Sequence, residues 1–193
     1  SPFQVQNQLV ERALGRRGTF KHQAMEEITA RNLRRISGNA EGGYHYSPED
    51  DGEKSELTLE FTMPQDGMAY IFVKASRKTQ VKTSAYPVGS ESSASTVEYD
   101  SRSANRPETI EAGYRQEGER VRVNLTAEEG NARDLEVIAA VLDDEVFGEI
   151  ARDLQSRQLV IDRFDNRGLE GRFTATEDQG RVFLSIPYDE SWE

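Results

Sequence analysis

The sequence predicts a mainly β protein, a jelly-roll-like β-sandwich with an N-terminal helix and one short amphipathic helix near 143–156. Three observations lead there. Short runs alternate apolar and polar residues with period two, as at Leu57, Leu59, Phe61 and Met63. Turn-forming clusters such as Pro64-Gln65-Asp66-Gly67 separate the runs. Helical spacing is clear in only two segments. Many short strands with few helices are the pattern of a sandwich.

Taken in order, Ser1-Pro2 is a helix start, because serine caps the first turn and proline fits the first helical position. Phe3, Asn7, Val10 and Leu14 share one face and Gly15 can close the helix, which gives residues 3–14. Residues 19–36, with Met25, Ile28, Leu33 and Ile36, fit either a helix or a broken strand. Residues 47–56 are acidic and turn-rich and read as a linker. Past it, residues 57–63 form a strand. Ala69, Ile71 and Val73 mark another, with Tyr70 and Phe72 on its opposite face. The serine-rich stretch 84–105 reads as a long loop around a strand at 95–100. Residues 107–115 and 119–126 read as a hairpin closed at 116–119, with Val121, Val123 and Leu125 inward. Leu135, Val137, Ala139 and Val141 mark a further strand. Asp143-Asp144-Glu145 open the second helix, whose apolar residues Val146, Phe147, Ile150 and Leu154 recur at helical spacing. Strands at about 157–164, 168–176 and 181–187 complete the chain.

The length suits one domain over 1–193, with 1–45 as an N-terminal helical and basic lobe and 56–193 as the sandwich. An apolar share of 35% implies a thin core. The absence of cysteine excludes disulfides and thiol chemistry and fits a Gram-positive surface protein. No run reaches the ~20 apolar residues needed to span a bilayer. The net charge of −11 is uneven: residues 1–45 hold seven Arg/Lys against four Glu, which leaves −14 for the rest. Arg16, Arg17, Arg34 and Arg35 are therefore candidates for contact with anionic lipid or an anionic polymer, against the plainer reading of a solvated face. The acidic remainder argues against nucleic acid as a partner.

No catalytic residue is assigned, because no nucleophile elbow, phosphate loop or dinucleotide fingerprint is present. His22 and His45 have no neighbours at metal-ligand spacing and read as surface or capping histidines. The acidic run 49–53 matches a calcium loop poorly. No metal and no cofactor is therefore expected. Asp143-Asp144-Glu145 is explained by a helix N-terminus. The triplet Asn124-Leu125-Thr126 matches a glycosylation sequon but lies in a predicted strand and is discounted. Aromatic residues carry the binding hypothesis. Tyr44 and Tyr46 flank His45. Tyr86, Tyr99 and Tyr114 lie in or near predicted loops. Tyr188, Asp189 and Trp192 stand at the far end. Exposed rings stack on sugar faces, so Tyr44, Tyr46, Tyr188, Asp189 and Trp192 are the candidate carbohydrate-binding residues. The competing reading packs these rings at strand ends. Trp192 follows a strand by one step, and the chain reads there as cut rather than finished.

Both ends resemble a known family. Residues 1–9, Ser-Pro-Phe-Gln-Val-Gln-Asn-Gln-Leu, followed by Gly15, resemble the opening of the large outer domain of YfhO-family bacterial membrane proteins. So do Leu169-Glu170-Gly171 with Phe173, the run from Val182 to Asp189, and Trp192. The strand Ala139-Ala140-Val141-Leu142-Asp143 before a helix at 143–156 fits as well. Glu190-Ser191 departs from the family, which has a basic or polar residue and then Gly. The resemblance implies an extracytoplasmic domain of a polytopic GT-C type glycosyltransferase that uses a lipid-phosphate sugar donor to modify lipoteichoic acid. The family's catalytic acid is expected in an early membrane-proximal loop outside this sequence. This domain is then non-catalytic by itself. Its implied partners are the transmembrane part of the same protein and a cell-wall polymer or glycan, which it would bind or orient. The alternatives are a stand-alone carbohydrate-binding or adhesive module and a scaffold for the membrane helices.

Overall fold

The structure, a computed structural model, describes residues 1–50, 52–75, 80–90, 95–100, 108–128, 134–156, 160–165 and 168–172. Helix α1, Pro2–Leu14, begins where the sequence places it. Ser1 Oγ accepts from the Gln4 N–H and the Gln4 side chain accepts from the Ser1 amine, a reciprocal cap. Gly15 ends the helix at φ 64°, a left-handed conformation that glycine adopts without strain.

Eleven strands then build two antiparallel sheets. These are β1 (Phe20–Gln23), β2 (Glu26–Arg31), β3 (Leu33–Asn39), β4 (Gly43–Pro48), β5 (Ser55–Thr62), β6 (Gly67–Ala75), β7 (Gln80–Pro87), β8 (Ser95–Asp100), β9 (Glu108–Arg115), β10 (Arg120–Ala127) and β11 (Leu135–Leu142). The first sheet runs β3-β4-β11-β6-β9, with β1 sharing the β4 edge of β11. The second runs β2-β5-β10-β7-β8. Helix α2, Asp144–Ser156, and a hairpin of β12 (Val160–Asp165) and β13 (Gly168–Arg172) follow. The chain repeatedly crosses from one sheet to the other, as in a jelly roll.

The core lies between the sheets. Leu57, Leu59 and Phe61 of β5 and Val121, Val123 and Leu125 of β10 meet Ile71 and Val73 of β6 and Val137, Ala139 and Val141 of β11. A second, smaller cluster lies on the outer face of the first sheet, where Phe3 of α1 packs on Phe72, Ile138 and Ala140, flanked by Phe20 and Tyr70. The centre of β11 is thus covered on both faces, which explains its almost unbroken apolar run. Burying a side chain such as Phe3, 3% exposed, stabilises by about 1.5–3 kcal/mol. Asn7 pins the helix further: its Nδ2 donates to the Phe20 carbonyl at 2.8 Å and its Oδ1 accepts from the Phe20 N–H at 2.9 Å. Gly18 makes room for this, since a Cβ there would stand 2.2 Å from Asn7 Cγ.

Four sequence expectations are corrected. The N-terminal lobe is only α1, because β1 to β4 belong to the sandwich: β1, β3 and β4 pair into the first sheet and β2 into the second. The acidic linker is the short β4–β5 connection. Asn32, at φ 53°, holds it by donating to the Asp50 and Glu53 carbonyls and accepting from the Asp50 N–H. The expected hairpin at 107–126 is instead an arch. Strand β9 pairs with β6 in one sheet and β10 with β5 and β7 in the other. Inward alternation fits either arrangement, and the free sheet edges decide between them. The start of the long loop, 84–87, is the end of β7, with Ala85 in the core. The strand at 181–187 lies outside the described residues.

Candidate functional site

Two of the predicted sugar-stacking tyrosines, Tyr44 and Tyr46, are core residues. Tyr44 is 4% exposed and Tyr46 1%. Tyr44 Oη accepts from the Met25 N–H at 2.9 Å, and Tyr46 Oη donates to Glu27 Oε2 at 2.9 Å. Burial, then the hydrogen bond to Glu27 and its charge, push the Tyr46 phenol above its ordinary range. On β4 the alternation has the opposite phase to the one expected: the aromatic rings point into the sandwich, and His45 and Ser47 point out. Tyr114, on β9, is 54% exposed, whereas Tyr86 is buried. Tyr188, Asp189 and Trp192 lie outside the described residues.

The four arginines divide. Arg16 pairs with Glu149 at 3.2 Å and Asp153 at 3.6 Å, and so ties the end of α1 to α2. Arg17 pairs with Asp143 at 3.5 Å, as does Lys21 at 2.9 Å. Asp143 caps α2 by accepting from the Val146 N–H. Burial opposes its ionisation, but Lys21, that N–H and Arg17 together hold the carboxyl below its ordinary value. Arg35 lies 4.7 Å from the centre of the Tyr44 ring and donates to the Gly38 carbonyl. These three arginines are committed within the fold. Among the described residues, Arg34 alone of the four is exposed without a hydrogen bond or ion pair.

Among the described residues, a concave feature lies on the outer face of the first sheet, beside the N-terminus of α1. Two cavities of about 430 and 380 Å³ adjoin there and share Lys74 and Glu136. The larger is lined by Ile36 and Ser37 of β3, His45 and Ser47 of β4, and Asp134 before β11. The smaller is lined by Thr109 of β9, Phe72, the capping Ser1, and Pro2 and Val5 of α1. Lys74 and Glu136 are register partners one step beyond the pair covered by Phe3, so the central strands pass from a buried apolar stretch into an open polar one. The groove crosses five strands, roughly 19 Å at about 4.8 Å per strand. Its polar groups are hydroxyls, an imidazole, an ammonium and carboxylates. Ser47 Oγ donates to Asp134, and His45 Nε2 contacts the Gly42 carbonyl at 3.1 Å. Such a surface can hydrogen-bond a polyol or sugar chain laid across the strands. Sequence reasoning missed Ser37, Ser47, Lys74, Asp134 and Glu136. The signal was present in polar residues placed singly between inward apolar ones, such as Glu136 between Leu135 and Val137.

The outer face of the second sheet differs. Glu60, 2% exposed, binds Arg122 at 2.6 Å and also pairs with Arg120. Thr58 Oγ1 donates to Asn124 Oδ1 at 2.9 Å, and Asn124 Nδ2 donates to Tyr86 Oη at 2.7 Å. The sequon asparagine is thus engaged within the sheet. His22 is not a surface histidine. Its side chain is 4% exposed beneath α1, edge-on to Phe3, with Nδ1 3.4 Å from Glu41 and a buried Nε2 without a partner. Burial holds its imidazole below the ordinary value, against the opposing charge of Glu41.

Among the described residues no group of three His, Asp or Glu side chains gathers to hold a metal, and no helix is long and apolar enough to cross a membrane. Comparison with known proteins gives three findings. A family model described as bacterial membrane protein YfhO matches residues 1–193. No curated protein matches the chain. Solved structures with a similar course include a family 35 carbohydrate-binding module from Clostridium thermocellum, 10% identical, covering 62% of this chain and 98% of that one at a TM-score of 0.41. A family 29 carbohydrate-binding module from Piromyces equi is 14% identical, with 68% and 97% covered and a TM-score of 0.41. The fold as described rests on this chain's own strand pairing.

Proposed function

Because the chain belongs to the YfhO family of bacterial membrane proteins, we propose that it is a non-catalytic extracytoplasmic domain of a polytopic GT-C type glycosyltransferase. It binds or orients a cell-wall polymer acceptor, of lipoteichoic acid type, while the membrane part of the same protein transfers the sugar. The observation that supports this reading is the polar groove over β3, β4, β11, β6 and β9, with α1 as one wall. It is open, long across the strands and lined by hydroxyl and charged groups, which suits an extended chain better than a compact metabolite. The test is calorimetric titration of the chain with purified lipoteichoic acid and with neutral oligosaccharides. Binding weakened by Ser47→Ala and Lys74→Ala is the expected result. Glycosyl transfer by this chain alone would overturn the non-catalytic assignment.

A second reading, a scaffold that braces the membrane helices, is favoured by one observation. Phe147 and Leu154 of α2 and Val160 and Ile161 of β12 are each at least half exposed. It predicts no soluble ligand, and it predicts that these side chains become protected from covalent labelling, and the backbone amides of α2 and β12 from hydrogen exchange, in the full-length membrane protein.

A further inference from the structure

We propose that the groove selects a zwitterionic polymer, one bearing anionic groups and ammonium groups in alternation, over a bare polyanion. The inference rests on the glycan-binding reading of the same groove and names its ligand class.

Among the described residues, Arg34, Asp134, Glu136 and Lys74 on this outer side alternate in charge in the order of the strands. Arg34 on β3 is the register partner of Ser47, so both stand on the same face of the antiparallel pair. It does not line either cavity but lies beside Ser47 on the same outward face, and it is exposed and unpaired among the described residues. Strand β4 contributes the neutral groups of His45 and Ser47. Asp134 and Glu136 supply two carboxylates at β11. Lys74 supplies an ammonium on β6, the next strand. A chain laid across the sheet therefore meets positive, negative and positive in turn. The first two are separated by two strand spacings, roughly 10 Å, and the last two by one, about 5 Å.

This order disfavours a pure polyanion. Two of its charges can reach Arg34 and Lys74, but the segment between them must then cross both carboxylates. The rest of the chain, −14 outside residues 1–45, adds long-range repulsion. An ammonium carried between two anionic groups turns that repulsion into attraction and leaves each groove charge with a partner. A neutral glycan gains neither benefit nor penalty. Arg16, Arg17 and Arg35 do not alter the balance, because Arg16 and Arg17 are held by Glu149, Asp153 and Asp143, and Arg35 by Tyr44 and Gly38.

The test titrates the 193-residue chain at low salt with three probes. They are poly(glycerol phosphate), the same polymer esterified with an amino acid so that ammonium groups alternate with phosphates, and a neutral oligoglucan. Exposed ion pairs are individually weak, so the substituted polymer is expected to bind about threefold to tenfold tighter than the bare one. Raised salt narrows the difference. Asp134→Asn with Glu136→Gln should bring the two polymers level, and Arg34→Ala with Lys74→Ala should weaken both of them more than the oligoglucan. Equal or tighter binding of the bare polymer by the unmodified chain overturns the charge-order inference and leaves glycan binding intact. No binding of any probe overturns the glycan-binding reading itself, and this inference with it.

Discussion

The outer faces of the two sheets have similar polar composition and opposite states. On the second sheet the polar groups have satisfied one another. Glu60 is enclosed by Arg120 and Arg122, and Thr58, Asn124 and Tyr86 form a hydrogen-bonded ladder across three strands. On the first sheet, Phe3 of α1 seals part of the face, while in the open part Lys74 and Glu136, although register partners, form no hydrogen bond or ion pair among the described residues. A polar sheet face is therefore not a binding surface by composition. It becomes one where charged groups such as Lys74 and Glu136 are left without partners among the described residues and a neighbouring element gives it a wall.

The largest effect should come from removing that wall. Phe3→Ala leaves a cavity over Phe72 and Ile138 and should lower stability by about 3 kcal/mol, read as a shift in urea midpoint. Groove binding should fall with it, because Ser1, Pro2 and Val5 line the second cavity. Glu60→Ala comes next. It strands two arginines that are partly solvated, 51% and 29% exposed, so the loss should be about 1–3 kcal/mol rather than that of a fully buried pair. Ligand binding should not change. A binding loss there would erase the contrast between the faces.

The third prediction concerns pH. Burial lowers the His22 pKa, so the unfolded chain takes the proton more readily than the folded one. The stability from neutral His22 is full above its ordinary value of 6.5 and is lost as pH falls through the window below it. His22→Phe should flatten thermal stability over that window. An unchanged pH profile would show that α1 docking does not depend on the neutral ring. Asp143, also lowered, loses its contribution only at more acid pH, below its ordinary value of 3.8. The smallest effect on stability belongs to Lys74→Ala, within about 0.5 kcal/mol, although it should weaken binding of anionic polymers measurably.

The comparison also marks what was legible in the residues. Both helices, their caps at Ser1, Gly15 and Asp143, and the inward phase of 57–63 and 121–125 follow from spacing and end chemistry within a few residues. Those signals are local, because a cap needs only its own first turn and alternation only its own strand. The phase of β4 was not legible. In Gly43–Pro48 rings and small polar groups alternate, and either set can face inward until a sheet is placed behind it. Choosing the rings as the exposed set led to Tyr44 and Tyr46 instead of His45 and Ser47. The state of the arginines was equally hidden, since Arg16 meets Glu149 across 133 residues.

The sequence by itself thus determined a mainly β sandwich with two helices and a family at both ends, because periodicity, caps and motifs are carried by neighbours along the chain. The tertiary structure alone decided which strands joined which sheet, which charges were spent on one another, and which were left facing the groove. Those outcomes depend on edges and partners that meet only when distant segments pack, so no local pattern could record them.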